Sequence, residues 1–374
     1  MIVAGETSGE LYGALLAESL KERRPEISII GVGGERMQRA GVEIIAGISS
    51  VFGLAEAASS LRKIRETFRM AAEALRIRRP RVLVLIDYPD FNLKLAREAK
   101  KNNIKVLYYV SPQVWAWRKK RVKNIAALVD RMAVVLPFEE EIYKTVGLPC
   151  EFVGHPVYDE IKNLQSDKSV LKAAMELDME KPLLSLLPGS RPHELKRLLP
   201  LMLGTVREFR KKHPDYQFCM PFAPNTDLRE YSSELSLFRE EGVRISKGDS
   251  LQALAASDLA VIASGTATLQ ASLIGVPIVV VYKVFPLTYW IGRMIVRVKY
   301  ISLVNILAGS EAVRELIQGE ATVGNVIAEL NGILAFESRR NDLKGVYDGI
   351  RELYSGRSAS GRVADMVEEM AGWK

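Results

Sequence analysis

Leu183-Leu184-Ser185-Leu186-Leu187-Pro188-Gly189-Ser190-Arg191 is a short apolar run that stops at a Gly-containing loop, and residues 195–212 beyond it carry a helical pattern. A strand of that composition is covered on both faces, which places it in a parallel sheet between layers of helix. The chain opens the same way, with an apolar strand at 1–4, the loop Ala4-Gly5-Glu6-Thr7-Ser8-Gly9, and a helix over 11–22 with Leu11, Leu15, Leu16 and Leu20 spaced along it. Working outward, strands are predicted at 27–31, 82–86, 105–110 and 131–136 in the first half, and at 216–220, 243–245, 258–263 and 277–282 in the second, with helices at 250–256 and 267–274. An alternation of β and α that begins twice predicts an α/β protein of two Rossmann-like domains facing across a cleft. The boundary falls where His155-Pro156 leads into a polar helix and then Lys181-Pro182, giving domains 1–160 and 161–340, and the charged helical tail 341–374 can pack back on the first.

Bulk properties agree with two domains, since 374 residues exceed one ordinary core and suit two of roughly 150–200 residues. With 48% apolar and 26% charged residues the chain is neither disordered nor fibrous. Apolar runs such as 273–285 and 81–86 are too short or too interrupted for a spanning helix of about 20 residues. Met1-Ile2-Val3-Ala4-Gly5 lacks the basic and apolar regions of a secretory signal, so a cytoplasmic location is expected. Cys150 and Cys219 read as reduced core residues, and His155, His193 and His213 are scattered, so neither a metal nor another cofactor is expected. The net charge of +7 favours an anionic partner, either nucleic acid, a phosphorylated substrate or an anionic membrane surface.

Ala263-Ser264-Gly265-Thr266-Ala267-Thr268 follows a strand and opens a helix, where small residues let backbone N–H groups approach a phosphate. A plain turn with a Ser or Thr cap has the same appearance. Pro188-Gly189-Ser190-Arg191 adds a guanidinium, which suits a departing diphosphate, although a surface turn with a solvated arginine is the alternative. Ligands of open α/β sheets bind at the carboxyl ends of strands, so two such loops in one domain support each other and point to a uridine diphosphate-type ligand. No G-x-x-x-x-G-K-S/T is present, so ATP hydrolysis is not indicated. In Ile86-Asp87-Tyr88-Pro89-Asp90-Phe91-Asn92 two carboxylates follow a buried strand, and Asp87 is the better candidate for taking a proton from a hydroxyl. The competing reading is an Asx-type turn around Pro89. Trp115 and Trp117 precede the cations Arg118-Lys119-Lys120-Arg121, a combination that suits sugar stacking, a membrane interface or nucleic acid, whereas a charge run alone is a solvated helix face. Segment 52–69 sets Phe52, Leu54, Ala58, Leu61, Ile64 and Phe68 near one helical face among Arg62, Lys63, Arg65 and Arg69. Packing on its own sheet is the favoured reading over a membrane-surface helix.

Together these stretches resemble the lipid-A-disaccharide synthase family. The resemblance runs through Ala4-Gly5-Glu6-Thr7-Ser8-Gly9, Gly53-Leu54-Ala55-Glu56, Ile86-Asp87-Tyr88-Pro89-Asp90-Phe91-Asn92, Tyr109-Val110-Ser111-Pro112-Gln113-Val114-Trp115-Ala116-Trp117-Arg118, Leu136-Pro137-Phe138-Glu139 and Phe152-Val153-Gly154-His155-Pro156. It continues in Leu187-Pro188-Gly189-Ser190-Arg191, Ala263-Ser264-Gly265-Thr266-Ala267-Thr268-Leu269 and Ser302-Leu303-Val304-Asn305-Ile306-Leu307-Ala308-Gly309. The Trp-Ala-Trp-Arg run is highly specific and the glycine turns are not.

The resemblance implies a GT-B fold and an inverting, metal-independent glycosyl transfer. The donor would be UDP-2,3-diacylglucosamine, the acceptor 2,3-diacylglucosamine 1-phosphate (lipid X), and the products a β-1,6-linked disaccharide 1-phosphate and UDP. It makes Asp87 the general base, puts Glu6, Ser8 and Asp90 on the acceptor side, and assigns Gly189, Ser190, Arg191, Ser264, Gly265, Thr266, Gln270 and Asn305 to the UDP-sugar. It also implies peripheral association with an anionic inner-membrane surface and no nucleic-acid partner, and some members of the family form homodimers by exchange of C-terminal elements. This chain departs from the family pattern at Glu10, where the family has aspartate, at Gln270, where it has glutamate, and at Ala57-Ala58-Ser59-Ser60, which dilute an apolar patch. Two rival readings remain: a UDP-N-acetylglucosamine 2-epimerase or other GT-B glycosyltransferase, and a non-catalytic basic module for RNA or membrane surfaces.

Overall fold

The apolar runs pair in parallel. The computed structural model describes residues 1–47, 57–117, 121–162, 164–224, 226–285, 289 and 298–373. In its first sheet β1 (Ile2–Ala4), β2 (Ile30–Gly33), β3 (Glu43–Gly47), β4 (Val82–Ile86), β5 (Lys105–Tyr109), β6 (Arg131–Val134) and β7 (Cys150–Phe152) lie in the order β3-β2-β1-β4-β5-β6-β7. The second sheet contains β8 (Leu183–Leu187), β9 (Gln217–Phe222), β10 (Val243–Lys247), β11 (Leu259–Ala263), β12 (Ile278–Tyr282) and β13 (Glu315–Ile317), in the order β10-β9-β8-β11-β12-β13. In both, the chain winds outward from its first strand and then reverses, between β1 and β4 and between β8 and β11, which is the doubly wound Rossmann arrangement. Every residue of β4, β8 and β11 is buried, as continuous apolar runs require.

The chain divides into one unit of Met1–Asp159 with Gly356–Lys374 and another of Glu160–Ser355. The returning segment is thus shorter than the tail 341–374 expected from its charge. The helix Glu337–Tyr354 belongs to the second unit, where its Leu343, Tyr347, Ile350 and Tyr354 are buried and Arg351 donates to the Leu273 carbonyl at 3.1 Å. Its charges do not say which unit it joins, and its buried apolar face is what decides where it packs. The last helix, Ala359–Ala371, does lie on the first unit. Arg23 pairs with Asp365 at 2.6 Å, Arg362 with Glu151 at 2.7 Å, and Ser360 donates to Asp159 at 2.7 Å. Arg81, Lys105 and Arg24 donate to the carbonyls of Ala371, Met370 and Trp373, placing cations at the negative end of that helix.

His155 is buried where the chain leaves β7, edge-on to Tyr12 with ring centroids 5.7 Å apart, and its Nδ1 accepts the Val157 N–H at 3.2 Å. Burial lowers its imidazole from 6.5 to about 3, so the ring is neutral in the folded chain. A group depressed in this way contributes stability that is fully present above its unfolded value and is lost as pH falls through the folded one. His155→Asn keeps an acceptor for the Val157 N–H and removes the titration. Its unfolding midpoint is expected to fall less steeply than the wild type's between pH 6.5 and pH 3, and parallel curves would show that His155 carries none of the acid sensitivity.

Candidate active site

In the first unit, two loops leave neighbouring strands on one edge of the sheet. β1 and β4 pair with Ala4 opposite Ile86, so Gly5-Glu6-Thr7-Ser8 and Asp87-Tyr88-Pro89-Asp90 emerge side by side where the strand order reverses. The Tyr88 ring lies directly against Gly5, and any side chain there would collide with it. Asp87 and Tyr88 both have left-handed backbones, with φ of 47° and 44°, a conformation costing non-glycine residues on the order of 1–3 kcal/mol each. Their neighbours hold them there. Buried Asn92 donates to the carbonyls of Ile86 at 3.1 Å and Asp87 at 2.8 Å, the Tyr108 hydroxyl also donates to the Asp87 carbonyl, and the Asp87 N–H reaches the Tyr109 carbonyl at 3.2 Å. The backbone that carries the Asp87 carboxylate is therefore strongly constrained.

Asp90, by contrast, has a side chain 70% exposed and paired with Arg121 at 2.8 Å. Glu6 is half-buried at the cap of the helix Thr7–Arg23 without capping it, and Ser8 is exposed. The Tyr88 phenol is raised by burial and then by Asp90 and Glu6, which puts both carboxylates within electrostatic reach of that ring. Glu10 accepts the Arg36 N–H at 2.8 Å at the start of the helix Glu35–Arg39, so this departure from the family pattern serves a local cap.

The second unit repeats the geometry. Ile262 of β11 pairs with Leu187 of β8, so Pro188-Gly189-Ser190-Arg191 and Ser264-Gly265-Thr266 also emerge together at the reversal of strand order. Gly189 has φ of 97° and sits on the carboxylate of Glu194, leaving no room for a side chain. Glu194 is buried and accepts the N–H groups of Ser190 and Arg191, each at 3.2 Å. Those two N–H groups are already occupied, while the Ser190 side chain and the Arg191 guanidinium, 3.9 Å from Glu194, are both exposed on the loop. Ser264 is engaged in the fold, its N–H on the Val281 carbonyl at 3.2 Å and its hydroxyl on the Ile301 carbonyl at 2.8 Å. Gly265 is exposed with open space around it, and Thr266 begins the helix Thr266–Ile274. Gln270, on that helix, is half-buried.

Asn305 is engaged in the fold. It is fully buried, its amide donates to the Val313 carbonyl and to Glu315, both at 2.8 Å, and its oxygen accepts the N–H groups of Ala312 at 2.8 Å and Val313 at 2.9 Å. With those bonds made, the Asn305 side chain builds the loop. Its partner Glu315, which sequence reasoning missed, also accepts the Ile301 N–H at 3.0 Å, the Ser302 N–H at 2.9 Å and the Ser302 hydroxyl at 2.6 Å. Thr268 closes the assembly, accepting the Leu303 N–H at 3.3 Å while donating to the Gly265 carbonyl at 2.8 Å. Residues 301–309 are thereby fastened to the Ser264–Thr268 turn. Of the residues missed, Glu194 alone had a partial signal, a glutamate three residues past the N-cap that accepts the Arg191 N–H, although arginine has no acceptor to complete a capping box.

Trp115 is half-buried; the side chain of Trp117, residues 118–120 and Gly53-Leu54-Ala55-Glu56 lie outside the described residues. In the helix Ala57–Arg78, Thr67, Ala71 and Leu75 are buried and Phe68 packs edge-on to Phe91 at 5.6 Å, in keeping with packing on its own sheet. Among the described residues no three His, Cys, Asp or Glu side chains converge as a metal site would need, and no helix is long and apolar enough to cross a membrane.

Two Rossmann-like units, each with paired loops at its reversal of strand order, define a protein of the GT-B class, and its solved neighbours agree. The UDP-GlcNAc 2-epimerase of Neisseria meningitidis, solved with UDP-GlcNAc, is similar with a TM-score of 0.68 and 10% identity over 98% of this chain and 99% of that one. The spinosyn rhamnosyltransferase SpnG, solved with thymidine diphosphate, gives 0.55 and 14% over 98% of each chain. At such identities the likeness is one of fold alone. Sequence relatives are more specific: residues 1–359 match the family described as Lipid-A-disaccharide synthetase, and the lipid-A-disaccharide synthase of Syntrophus aciditrophicus (strain SB) is 43% identical, covering 98% of this chain and 96% of its own. The chain belongs to the lipid-A-disaccharide synthetase family and is a glycosyltransferase.

Glu315→Gln tests the loop clamp. An amide has one accepting oxygen, so at least one buried donor among Ile301, Ser302 and Asn305 loses its partner, at a cost of about 1–3 kcal/mol. A lower unfolding midpoint together with a weaker UDP dissociation constant by calorimetry is expected, and unchanged UDP binding would separate the clamp from the nucleotide site.

Proposed function

We propose that this chain transfers 2,3-diacylglucosamine from UDP-2,3-diacylglucosamine to 2,3-diacylglucosamine 1-phosphate, with inversion, giving a β-1,6-linked disaccharide 1-phosphate and UDP. The observation that carries the reading is the matched pair of switch-point loops, one bearing Asp87 on a constrained backbone and the other bearing exposed Arg191, in a chain that aligns over nearly its whole length with lipid-A-disaccharide synthases. The first domain, 1–160, takes the acceptor, with Glu6, Ser8 and Asp90 beside it, and the second, 161–340, takes the donor.

In this mechanism the acceptor 6-hydroxyl oxygen forms the new bond to the anomeric carbon of the donor. Its proton passes to Asp87, and the electron pair of the breaking bond leaves with UDP. A carboxylate suits the first task because the proton has to be taken as the oxygen attacks, and a backbone braced by Asn92 and Tyr108 limits the orientations it must search. Arg191 offsets the charge that grows on the diphosphate. Gly265 and Thr266 give the phosphates room at a helix start, Gln270 bonds the ribose, and Asn305 acts through the loop it builds. Docking at an anionic membrane surface is supported by the helix Ala57–Arg78, which exposes Arg62, Lys63, Arg65, Arg69 and Arg76 beside Met70 and Ile77.

The direct experiment is a mass-spectrometric assay with the two lipid substrates, in which the disaccharide 1-phosphate is the expected product and its absence would refute the reading. Asp87→Asn keeps the size of the side chain but cannot take the proton, so turnover should fall by roughly 10²–10⁴-fold while the UDP dissociation constant hardly changes. Near-normal turnover would remove Asp87 as the base. Arg191→Ala should cost about 2–4 kcal/mol of transition-state stabilisation, measured as kcat/KM. Binding to anionic vesicles should weaken as salt rises and with Arg118→Glu combined with Lys119→Glu, and salt-insensitive binding would exclude an electrostatic contribution.

A further inference from the structure

Glu139 is 2% exposed at the start of the helix Glu139–Lys144, just beyond β6. Its Oε1 accepts the indole N–H of Trp115 at 3.2 Å, and its Oε2 accepts the backbone N–H of Leu136 at 3.2 Å. One turn along the same helix, the Tyr143 hydroxyl is hydrogen-bonded to the buried Ser111 hydroxyl at 2.8 Å. The chain that Glu139 and Tyr143 grip is the segment leaving β5. It begins at Val110, a β-branched residue with φ of 63° that holds this conformation only because its surroundings impose it. β5 lies between β6 and β4, so Ser111–Trp115 emerges beside Asp87, and Tyr108 of β5 already bonds the Asp87 carbonyl. Trp115 meets Phe138 edge-to-face at 5.3 Å, and Phe138 is 36% exposed, so the pair forms an apolar wall at the edge where the first unit's candidate residues lie. Burial pushes the Glu139 carboxyl up to about 7, against the hydrogen bonds that favour its charged form. An apolar side chain would fill this place without that penalty and would leave the Trp115 indole N–H without an acceptor.

We propose that Glu139 is a positioning residue for the acceptor, holding Trp115 against Phe138 so that the two rings form the wall on which the apolar part of the acceptor lies next to Asp87. The inference rests on the assignment of the first unit to the acceptor. Trp115→Phe keeps a ring and deletes the N–H that Glu139 holds, whereas Glu139→Gln leaves either Trp115 or Leu136 facing another donor. Each is expected to raise the acceptor KM about tenfold, in line with the loss of one hydrogen bond to a charged group. The double variant should be little worse than the poorer single one, because both changes remove the same contact, and kcat, donor KM and UDP affinity should stay as in the wild type.

Among the described residues, Tyr143 on its own helix and Cys150 on β7 also face Glu139, both pushed up by burial, Cys150 to about 12. Glu139 is therefore the group of this cluster that changes charge near neutrality. The acceptor KM should fall as pH rises through about 7 in the wild type, and Glu139→Gln should lose that dependence. Should Glu139→Gln fail to fold, Trp115→Phe decides alone, with an unchanged acceptor KM overturning the inference. Additive effects in the double variant, or losses confined to kcat, would also overturn it. A wild type that transfers normally while these variants keep its acceptor KM defeats the positioning role only; a wild type that forms no disaccharide defeats the proposed function and this inference with it.

Discussion

A parallel sheet brings the carboxyl ends of all its strands to one edge, and at a reversal of strand order the connections on either side leave for opposite faces, opening a crevice between them. Both sheets of this protein depend on that constraint through one pairing each, β1 with β4 and β8 with β11. The registers set Ala4 beside Ile86 and Leu187 beside Ile262, which is why residues some eighty positions apart in sequence share an edge. A one-residue slip in either register would turn inward-facing side chains toward the opposite layer of helices. The apolar runs that fill both faces of β4, β8 and β11 therefore secure the positions of the loops as well as the core.

The loops are then shaped by buried acids and amides. Glu194 gathers the N–H groups of Ser190 and Arg191, Glu315 those of Ile301 and Ser302, and Glu139 that of Leu136 with the Trp115 indole, while Asn92 serves the carbonyls of Ile86 and Asp87. Backbone polar groups in an irregular buried loop have no ladder to satisfy them, and each one left alone costs about as much as a lost hydrogen bond. A carboxylate can accept from several donors at once, so one residue can determine the course of a whole turn. Each clamp also leaves a different part of its loop free, as when Glu194 takes the backbone of residues 190–191 and leaves the Arg191 guanidinium exposed.

What could be read from the sequence follows from how local its causes are. Central strands such as β4, β8 and β11 announce themselves because burial on both faces demands an unbroken apolar run, and their loops were legible because glycine and proline end such runs. The edge strands β3, β7 and β13 were missed, being short or partly exposed, with compositions such as Glu315-Leu316-Ile317 and Cys150-Glu151-Phe152 that lack an unbroken apolar run. Asp87, Arg191 and Asn305 were recognisable as motif residues, but nothing in Ser302–Gly309 shows that Asn305 is buried, because the acid it bonds lies ten positions further on. Glu139 was equally opaque, since its indole partner is twenty-four positions away on another strand's loop.

The two units reach their loop geometry by different routes, and the difference suits what each loop carries. In the Pro188–Arg191 loop of the second unit the left-handed position is Gly189, where the conformation is nearly free of strain and the group proposed to act, Arg191, sits two residues away on a long flexible stem. In the loops after β4 and β5 of the first unit the left-handed positions are Asp87, Tyr88 and Val110, none of them glycine, and the strain is held in place by Asn92, Tyr108 and the grip on Ser111. A guanidinium that follows a spreading negative charge tolerates latitude in its backbone. A base that must meet one hydroxyl proton does not, and its carboxylate is carried by the strained residue itself on a stem of a single methylene. Glycine at position 87 would relieve the strain but would also delete the group whose direction the strain sets, so in the first unit the left-handed backbone and the proposed chemistry fall on the same residue.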